Sequence, residues 1–216
     1  MVYNKQIKRI EMSTSKEHWN TIFTTNKNSE LGWYEKDVTQ TFKFIQEISL
    51  DSSSRVFVAG AGISLLVDKL LNKEYQLILN DISDEALNSL KNRLKEAKQI
   101  EWLHHDISQS LPSTIAKVDV WIDRAVLHFL LEEEEIERYF KNIYALVKKG
   151  GYVLLAEFST TGAKQCASLP LHQYSIEEMT QRMGKMFELI DQEEYTYINP
   201  AGNPRPYVYA LFRRSI

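Results

Sequence analysis

The amino-acid sequence predicts an α/β protein in which a doubly wound sheet of five parallel strands is followed by a C-terminal antiparallel hairpin. Three observations support this fold class. Short apolar strand patterns alternate with helical patterns from residue 55 onward, which is typical of a parallel sheet with helices on both faces. Glycines follow the first of these strands. Turn residues separate two strand-like runs near the end of the chain, as in a hairpin.

The composition is that of an ordinary globular protein with a slight excess of acidic residues. The 216 residues include 26 Lys or Arg and 29 Asp or Glu, which gives a formal charge of −3. This balance makes nucleic acid an unlikely partner, because nucleic-acid binders usually rely on a broad basic field. One cysteine, Cys166, permits no internal disulfide, and residues 1–12 lack the apolar segment of a secretory signal. We therefore expect a cytoplasmic protein without a membrane span, either a monomer or a dimer.

Residues 1–50 are predicted to form a helical cap, and residues 51–216 the main α/β unit of the same domain. The sequence Thr14-Ser15-Lys16-Glu17 fits a capping box before a short helix over 18–23. Asp37 precedes a second helix with apolar residues at helical spacing: Val38, Phe42, Ile45 and Ile48. Both helices should pack against the rest of the protein.

The elements of the main unit follow from hydrophobic periodicity and from capping residues. Parallel strands are predicted at 56–59, 77–81, 100–105, 118–123 and 152–158. Helices are predicted at 65–71, from the cap Ser83 to Ala97, at 132–147 and at 176–183. The basic and glycine residues Lys148–Gly151 are expected to stop the third of these helices. The runs 187–198 and 206–213 are expected to pair around the turn 199–203.

Candidate ligand-binding residues follow the first three strands, where open parallel sheets bind their ligands. Gly60-Ala61-Gly62 permits a sharp turn in front of a helix N-terminus, which favours an anionic group. Asp81 lies 19 residues after Gly62, close to the offset at which a carboxylate accepts hydrogen bonds from a ribose diol. Asp106 suits an exocyclic amine, although a simple turn aspartate is an equally good interpretation. The sequence thus predicts a nucleoside ligand.

Two missing motifs limit which nucleoside ligand the predicted site can bind. A dinucleotide fingerprint would need a glycine where Leu65 stands, and the sequence contains no phosphate-binding loop of the P-loop type. An NAD(P)-dependent oxidoreductase remains an alternative. The pair His104-His105 lacks the spacing of zinc ligands, so no metal site is predicted.

At this point the sequence resembles the class I S-adenosylmethionine-dependent methyltransferases over residues 17–214. The resemblance rests on five blocks in the right order: Val58-x-Gly60-x-Gly62, Asn80–Ser83, Trp102–Asp106, Trp121–Leu130 and Val147–Tyr152. The terminal hairpin is what this family adds to a Rossmann-like sheet. Blocks near both ends resemble small bacterial-type members, and the N-terminal part also resembles the thiopurine-methyltransferase-like and lysine-methyltransferase-like branches. The resemblance implies S-adenosylmethionine as cofactor and methyl transfer to a small molecule or a protein side chain, with S-adenosylhomocysteine as product.

The resemblance also implies cofactor contacts. Gly60-Ala61-Gly62 would lie against the amino-acid end of the cofactor. Asp81 would hold the ribose hydroxyls, with Ile82 against the adenine. Asp106 would meet the adenine amine, beside Ile107. Arg124 and Ala125 would lie near the sulfonium at the end of the fourth strand.

Catalytic and acceptor residues are predicted around the same strand ends. His128 or Asp123 would serve as a base for an amine acceptor, although Asp123 and Arg124 are also interpretable as an ion pair that braces the strand. Trp33 and Tyr34 are candidates for an aromatic lid over the methyl group, the alternative being that they dock the N-terminal helices. The substrate contacts predicted after the fifth strand are His172 and Tyr174.

Val58 is a departure from the family pattern. The family usually carries Asp or Glu two residues before the first motif glycine, where the carboxylate helps to orient the turn. Its loss allows a further alternative, a catalytically degenerate cofactor-binding protein that acts as a regulator.

Overall fold

The computed structural model describes residues 15–215, and within them seven strands form one sheet in the order β3-β2-β1-β4-β5-β9-β8. The sheet strands are β1 (Arg55–Ala59), β2 (Gln76–Asp81), β3 (Ile100–His104), β4 (Val118–Arg124), β5 (Val147–Phe158), β8 (Phe187–Ile198) and β9 (Pro204–Arg214). A separate ribbon that the sequence did not predict pairs β6 (Gln165–Cys166) with β7 (Leu169–Pro170). The helices are α1 (15–25), α2 (Thr39–Gln46), α3 (Leu66–Leu71), α4 (Asp84–Arg93), α5 (Glu133–Leu146) and α6 (Ile176–Met183).

The strand pairing confirms the predicted fold class. Strands β1 to β5 run parallel, whereas β9 is antiparallel to both β5 and β8. The chain builds the sheet outward from β1 through β2 to β3 and then returns to place β4 on the other side of β1. The carboxyl ends of β1 and β4 therefore meet at the topological switch point, where such sheets bind ligands.

Alternate residues of the strands face two apolar layers. Val56 and Val58 of β1 pack in one buried cluster, with residues of α2 and α3, and Phe57 packs in the other, with residues of α5 and α6. This explains why the β1 run is continuously apolar, since a parallel strand covered on both faces exposes neither side to water. The N-terminal cap belongs to the first layer.

Helix starts agree well with the predicted capping residues. Ser83 Oγ accepts a hydrogen bond from Ala86 N at 3.1 Å, and Asp37 Oδ1 accepts one from Thr39 N at 2.9 Å. These side chains satisfy backbone donors that a first helical turn leaves unpaired. Thr14, which opens the first predicted capping box, and residues 1–12 lie outside the described residues.

Two predicted helix ends are wrong. Helix α4 ends at Arg93, because Leu94 leaves the helical region at φ −109° and ψ 32°, and the predicted stripe to Ala97 therefore runs past the helix. Helix α5 passes directly into β5 at Val147, whose ψ of 132° is extended. The segment Lys148–Gly151 is thus part of a strand and not a helix stop, since pairing with β4 already begins at Val147.

Candidate active site

The glycine turn after β1 is held by the end of β2. Gly60 and Gly62 have φ values of 54° and 51°, in the left-handed region that glycine adopts without strain. Gly62 N donates to Asp81 Oδ2 at 2.8 Å, and Ala61 N donates to Asn80 O at 2.8 Å. The turn therefore has its amide groups fixed by the neighbouring strand before any ligand is bound.

Asp81, at the end of β2, orients the glycine turn. Val58 is buried in the apolar core, whereas the Asp81 carboxylate accepts hydrogen bonds from the backbone of Gly62 and of Ser83, each at 2.8 Å. Burial raises the pKa of Asp81 to about 6, and the two amide donors oppose that shift. Because a carboxylate has about four acceptor positions, Asp81 retains acceptor capacity toward the cavity that it lines.

The end of β3 contributes a second carboxylate to the same cavity. Asp106 Oδ1 accepts a hydrogen bond from Ser108 N at 2.9 Å, which fixes the side chain in a tight turn. Asp106, Ile107, Ser108 and Gln109 line the cavity in sequence. Asp106 therefore shapes a turn and also lines the cavity, and its contact with an exocyclic amine stays a prediction.

The end of β4 carries a strained turn that packs on the glycine turn. Ala125, which lines the cavity, has a φ of 69°, uncommon for a residue with a side chain. Asp123 holds this conformation, because its carboxylate accepts hydrogen bonds from Val126 N at 3.0 Å and Leu127 N at 3.2 Å. The next residue then fills the space beside Gly60, where an added Cβ would lie 2.2 Å from Val126 Cγ2.

Beneath this turn lies a fully buried polar cluster, which we call the floor cluster: Asp123, Tyr139, Trp121, His128 and Glu157. Tyr139 donates to Asp123 at 2.6 Å and accepts from the Trp121 ring nitrogen at 3.1 Å. His128 Nδ1 lies 2.6 Å from Glu157 Oε2. Burial raises the pKa of Asp123 well above its usual range and lowers the pKa of His128 to about 3, so that the imidazole is neutral.

The interpretation of Asp123 and Arg124 as an ion pair is wrong, because adjacent strand residues point to opposite faces. Arg124 Nη2 instead lies 3.0 Å from Glu35 Oε1, in a pair whose side chains are 10% and 5% exposed. Its Nη1 donates to Trp33 O at 3.1 Å. The charged end of Arg124 therefore fastens the N-terminal cap to the end of β4.

Four aromatic side chains form one wall of the cavity. Trp19 lies edge-on to Trp33 at 5.5 Å and to Phe129 at 4.9 Å between ring centroids, and Phe23 lies edge-on to Trp33 at 6.4 Å. Phe23 also approaches Gly62, since an added Cβ there would lie 3.5 Å from its ring. Sequence reasoning found Trp33 but missed the other three, which come from two distant segments. Trp19 and Phe23 lie in the helix predicted over 18–23, and Phe129 lies in the Trp121–Leu130 block.

The predicted site residues divide into two groups around a cavity of about 880 Å³. Those that line it are Trp33, Gly60, Gly62, Asp81, Ile82, Asp106, Ile107, Arg124 and Ala125. Those that do not line it are Tyr34, Ala61, Asp123, His128, His172 and Tyr174.

The residues of the second group lie outside the cavity lining. Asp123 and His128 belong to the floor cluster described above. Ala61 is buried, and it takes part in the glycine turn only through its backbone. Tyr34 lines a separate cavity of about 610 Å³. His172 Nε2 lies 2.9 Å from Glu178 Oε1, and Tyr174 is fully buried. The roles predicted for His128 and Asp123 as bases, and for Tyr34, His172 and Tyr174 as substrate contacts, stay predictions.

The cavity fits a nucleoside cofactor with an amino-acid tail. The two carboxylates at its β2 and β3 ends match a ribose diol and an amine. The glycine turn leaves a cradle that a side chain would fill, as the positions of Val126 and Phe23 around it show. Across residues 15–215, no group of three or more His, Cys, Asp or Glu side chains is arranged to hold a metal ion. None of the helices in that part of the chain has the length and apolar character needed to cross a membrane.

Comparison with known proteins gives a match to one family and to one relative. Residues 57–153 match the family described as a methyltransferase domain. A protein of Geobacillus sp. (strain WCH70) that is provisionally named a methyltransferase is 27% identical over 140 residues. That match covers 59% of this chain and 56% of the Geobacillus protein, so the alignment spans about half of the relative's length.

Solved structures show the same fold over almost the whole chain. An S-adenosylmethionine-dependent methyltransferase from Anabaena variabilis superposes with a TM-score of 0.75 at 16% identity, covering 94% of both chains. The 1,6-didemethyltoxoflavin N1-methyltransferase of Burkholderia thailandensis, solved with S-adenosylhomocysteine, superposes with a TM-score of 0.68 at 14% identity. It covers 99% of this chain and 90% of its own.

Residues 57–153 thus match a methyltransferase domain. The fold of almost the whole chain is that of S-adenosylmethionine-dependent methyltransferases of known structure.

Proposed function

We propose that this protein transfers the methyl group of S-adenosylmethionine to a small-molecule acceptor that enters the cavity beside the end of β4. The observation that carries the proposal is that the glycine turn, Asp81, Asp106 and Ala125 all line one cavity. The acceptor end is walled by the aromatic side chains described above, which suits a small ligand more than an extended protein surface. The toxoflavin-type enzyme with the same fold also acts on a small molecule.

In this proposal the ribose hydroxyls donate to Asp81 and the adenine amine donates to Asp106. The turn Gly60–Gly62 receives the amino-acid end. When bound, the cofactor would supply an activated sulfonium: an acceptor would form a bond to the methyl group as the sulfur–methyl bond breaks in line, with S-adenosylhomocysteine as the leaving group. The protein contributes orientation and the exclusion of water.

We assign Asp123 and His128 to positioning. Neither side chain lines the cavity, and Asp123 uses its carboxylate to hold the backbone after Ala125. A neutral, fully buried His128 has no direct path to an acceptor proton. An acceptor therefore has to arrive as a competent nucleophile, such as a neutral amine or a thiolate.

Calorimetric titration with S-adenosylmethionine, S-adenosylhomocysteine and NAD tests the cofactor assignment. We expect micromolar binding of both sulfur ligands and none of NAD, and the proposal fails if neither sulfur ligand binds below millimolar concentration. Asp81→Ala should weaken S-adenosylhomocysteine by roughly a hundredfold or more, since charge-assisted hydrogen bonds each contribute about 1.5–3 kcal/mol. Asp68→Ala is the matched control, because this carboxylate pairs with Arg93 and does not line the cavity.

The acceptor class is tested by transfer of a labelled methyl group to fractionated small metabolites and, in parallel, to protein extracts. Labelling confined to the small-molecule fraction is expected. Labelling confined to protein would replace the small-molecule acceptor with a protein side chain and leave the cofactor assignment intact.

A further inference from the structure

A buried ion pair stands at the wall of the cavity where methyl transfer is proposed. Arg124 lines the cavity, and its Nη2 lies 3.0 Å from Glu35 Oε1. The side chains are only 10% and 5% exposed. A guanidinium keeps its charge in such surroundings, so Arg124 presents a positive charge that must be balanced locally.

The remaining contacts of Arg124 carry no formal charge. Its Nη1 donates to Trp33 O and its Nε donates to Tyr209 Oη at 3.4 Å. Its guanidinium carbon lies 5.2 Å from the ring centroid of Tyr197 and 5.0 Å from that of Tyr207. Among these contacts Glu35 supplies the only negative charge.

The two forms of the cofactor differ in charge at the position beside Arg124. S-adenosylmethionine carries a sulfonium cation, whereas the sulfur of S-adenosylhomocysteine is a neutral thioether. An unbalanced guanidinium would repel the first and leave the second nearly unaffected, because like charges in a desolvated site interact strongly.

We propose that Glu35 is a specificity residue that neutralises Arg124, so that the cavity accepts the cationic methyl donor. This inference rests on the proposed function, in which methyl transfer takes place beside the end of β4, and on the family resemblance, which implies that the sulfonium lies near Arg124 and Ala125. It assigns to the N-terminal cap a role in recognising cofactor charge, in addition to covering the cavity.

Calorimetry with both ligands on wild type, Glu35→Gln and Glu47→Gln tests the role. Glu35→Gln should raise the ratio of the Kd for S-adenosylmethionine to the Kd for S-adenosylhomocysteine by about tenfold. The control Glu47→Gln removes an exposed carboxylate from the same cap and should leave the ratio unchanged. The double variant Glu35→Gln/Arg124→Gln should restore the wild-type ratio, because both charges are then gone.

Equal weakening of both ligands by Glu35→Gln would overturn the proposal, since a purely structural role moves both affinities together. Should Glu35→Gln fail to fold by circular dichroism, Arg124→Gln gives a second test. It removes the guanidinium, and because the unpaired, buried Glu35 then takes up a proton, the ratio should stay near that of wild type. A ratio well below that of wild type would show that Arg124 repels the sulfonium despite Glu35, which contradicts the proposal. Failure of wild type to bind either ligand would instead refute the proposed function.

Discussion

The end of the cavity at which we propose that the ribose binds, the ribose end, is built from residues that are close in sequence. The end at which we propose methyl transfer, the methyl-transfer end, joins segments that are far apart. Gly62 and Asp81, which are bonded to each other, are 19 positions apart, and Asp81 bonds to a backbone amide two positions on. Arg124 instead bonds to Trp33, 91 positions before it, and to Tyr209, 85 positions after it. Cofactor binding thus depends on local turns, and the surroundings of the acceptor depend on how the cap docks.

The two ends of the cavity meet at Gly60 and Val126. We therefore expect Gly60→Ala to destabilise both ends and to have the largest effect on the free energy of unfolding. A Cβ there would lie 2.2 Å from Val126 Cγ2 on a backbone with φ 54°, and Val126 is held by Asp123. We expect a loss of about 3 kcal/mol in the free energy of unfolding, from left-handed strain and overpacking together. Urea denaturation measures it.

Gly202→Ala is the matched control for the contribution of strain alone. Gly202 has a φ of 80°, but nothing lies within 4 Å of an added Cβ. Gly202→Ala should lower the free energy of unfolding by about 1 kcal/mol. Equal costs at the two glycines would show that Val126 yields and that the two turns do not interlock.

The floor cluster supports the methyl-transfer end from below, and Tyr139→Phe removes its central hydroxyl. Asp123 then loses a buried donor at 2.6 Å, and the Trp121 ring nitrogen loses its acceptor. We expect about 2 kcal/mol of destabilisation, because unsatisfied buried polar groups cost about 1–3 kcal/mol each. Tyr152→Phe, on a half-buried ring of β5, should change stability by less than about 0.5 kcal/mol.

The difference between the two ends also explains what could be predicted from the sequence. The parallel order, the terminal hairpin and the four cavity-lining residues Gly60, Gly62, Asp81 and Asp106 follow from apolar runs and from what comes after each strand, which are local signals. Trp33 was a candidate because of its aromatic ring, and the other four predicted lining residues are implied only by the family resemblance: Ile82, Ile107, Arg124 and Ala125. The Arg124–Glu35 pair and the floor cluster depend on which strand face a side chain occupies and on how distant segments pack. Apolar patterning shows that β4 is buried on both faces but does not identify the partner of Asp123 or of Arg124.

Predicted capping residues show the same limit on a smaller scale. Ser83 and Asp37 were found because a helix start has a local side-chain signature. The end of α5 was mistaken because Lys148–Gly151 has the composition of a helix stop, while β4 pairs with the chain from Val147 onward. Tertiary pairing overrides local preference at such positions.

The ribose end can be tested separately by changing pH. Burial raises the pKa of Asp81 to about 6, so its carboxyl is largely protonated at pH 5 in the free protein. Ribose hydroxyls donate to the ionised form, so the affinity for S-adenosylhomocysteine should rise with pH and level off above pH 7. We expect binding to be about tenfold weaker at pH 5 than at pH 8, measured by calorimetry.

The stability of the free protein should change in the opposite direction through this group. Its folded pKa lies above its usual value of 3.8. The folded state therefore keeps a proton that the unfolded chain releases between about pH 4 and pH 6, and the contribution of Asp81 to stability is lost as pH rises through 6. Asp81→Asn should remove both dependences. A flat affinity profile in wild type would show that Asp81 does not accept from the ligand.

The smallest expected effect concerns the polar contact between helix α1 and the start of α4, beside the ribose end. Asn20 Nδ2 donates to Asp84 Oδ1 at 2.7 Å, and its Oδ1 accepts from Ser83 Oγ at 2.7 Å. Asn20→Ala should cost about 1 kcal/mol in stability, the usual net contribution of such bonds. It should also increase amide exchange in residues 15–25, because these bonds fasten α1 to the start of α4.

The exposed Thr24→Ala on the same helix, whose hydroxyl bonds only within α1, should leave α4 unaffected. If Asn20→Ala leaves exchange unchanged, the Asn20 bonds do not fasten α1, and its other contacts, such as the Lys16–Asp84 pair and the aromatic wall, hold it in place.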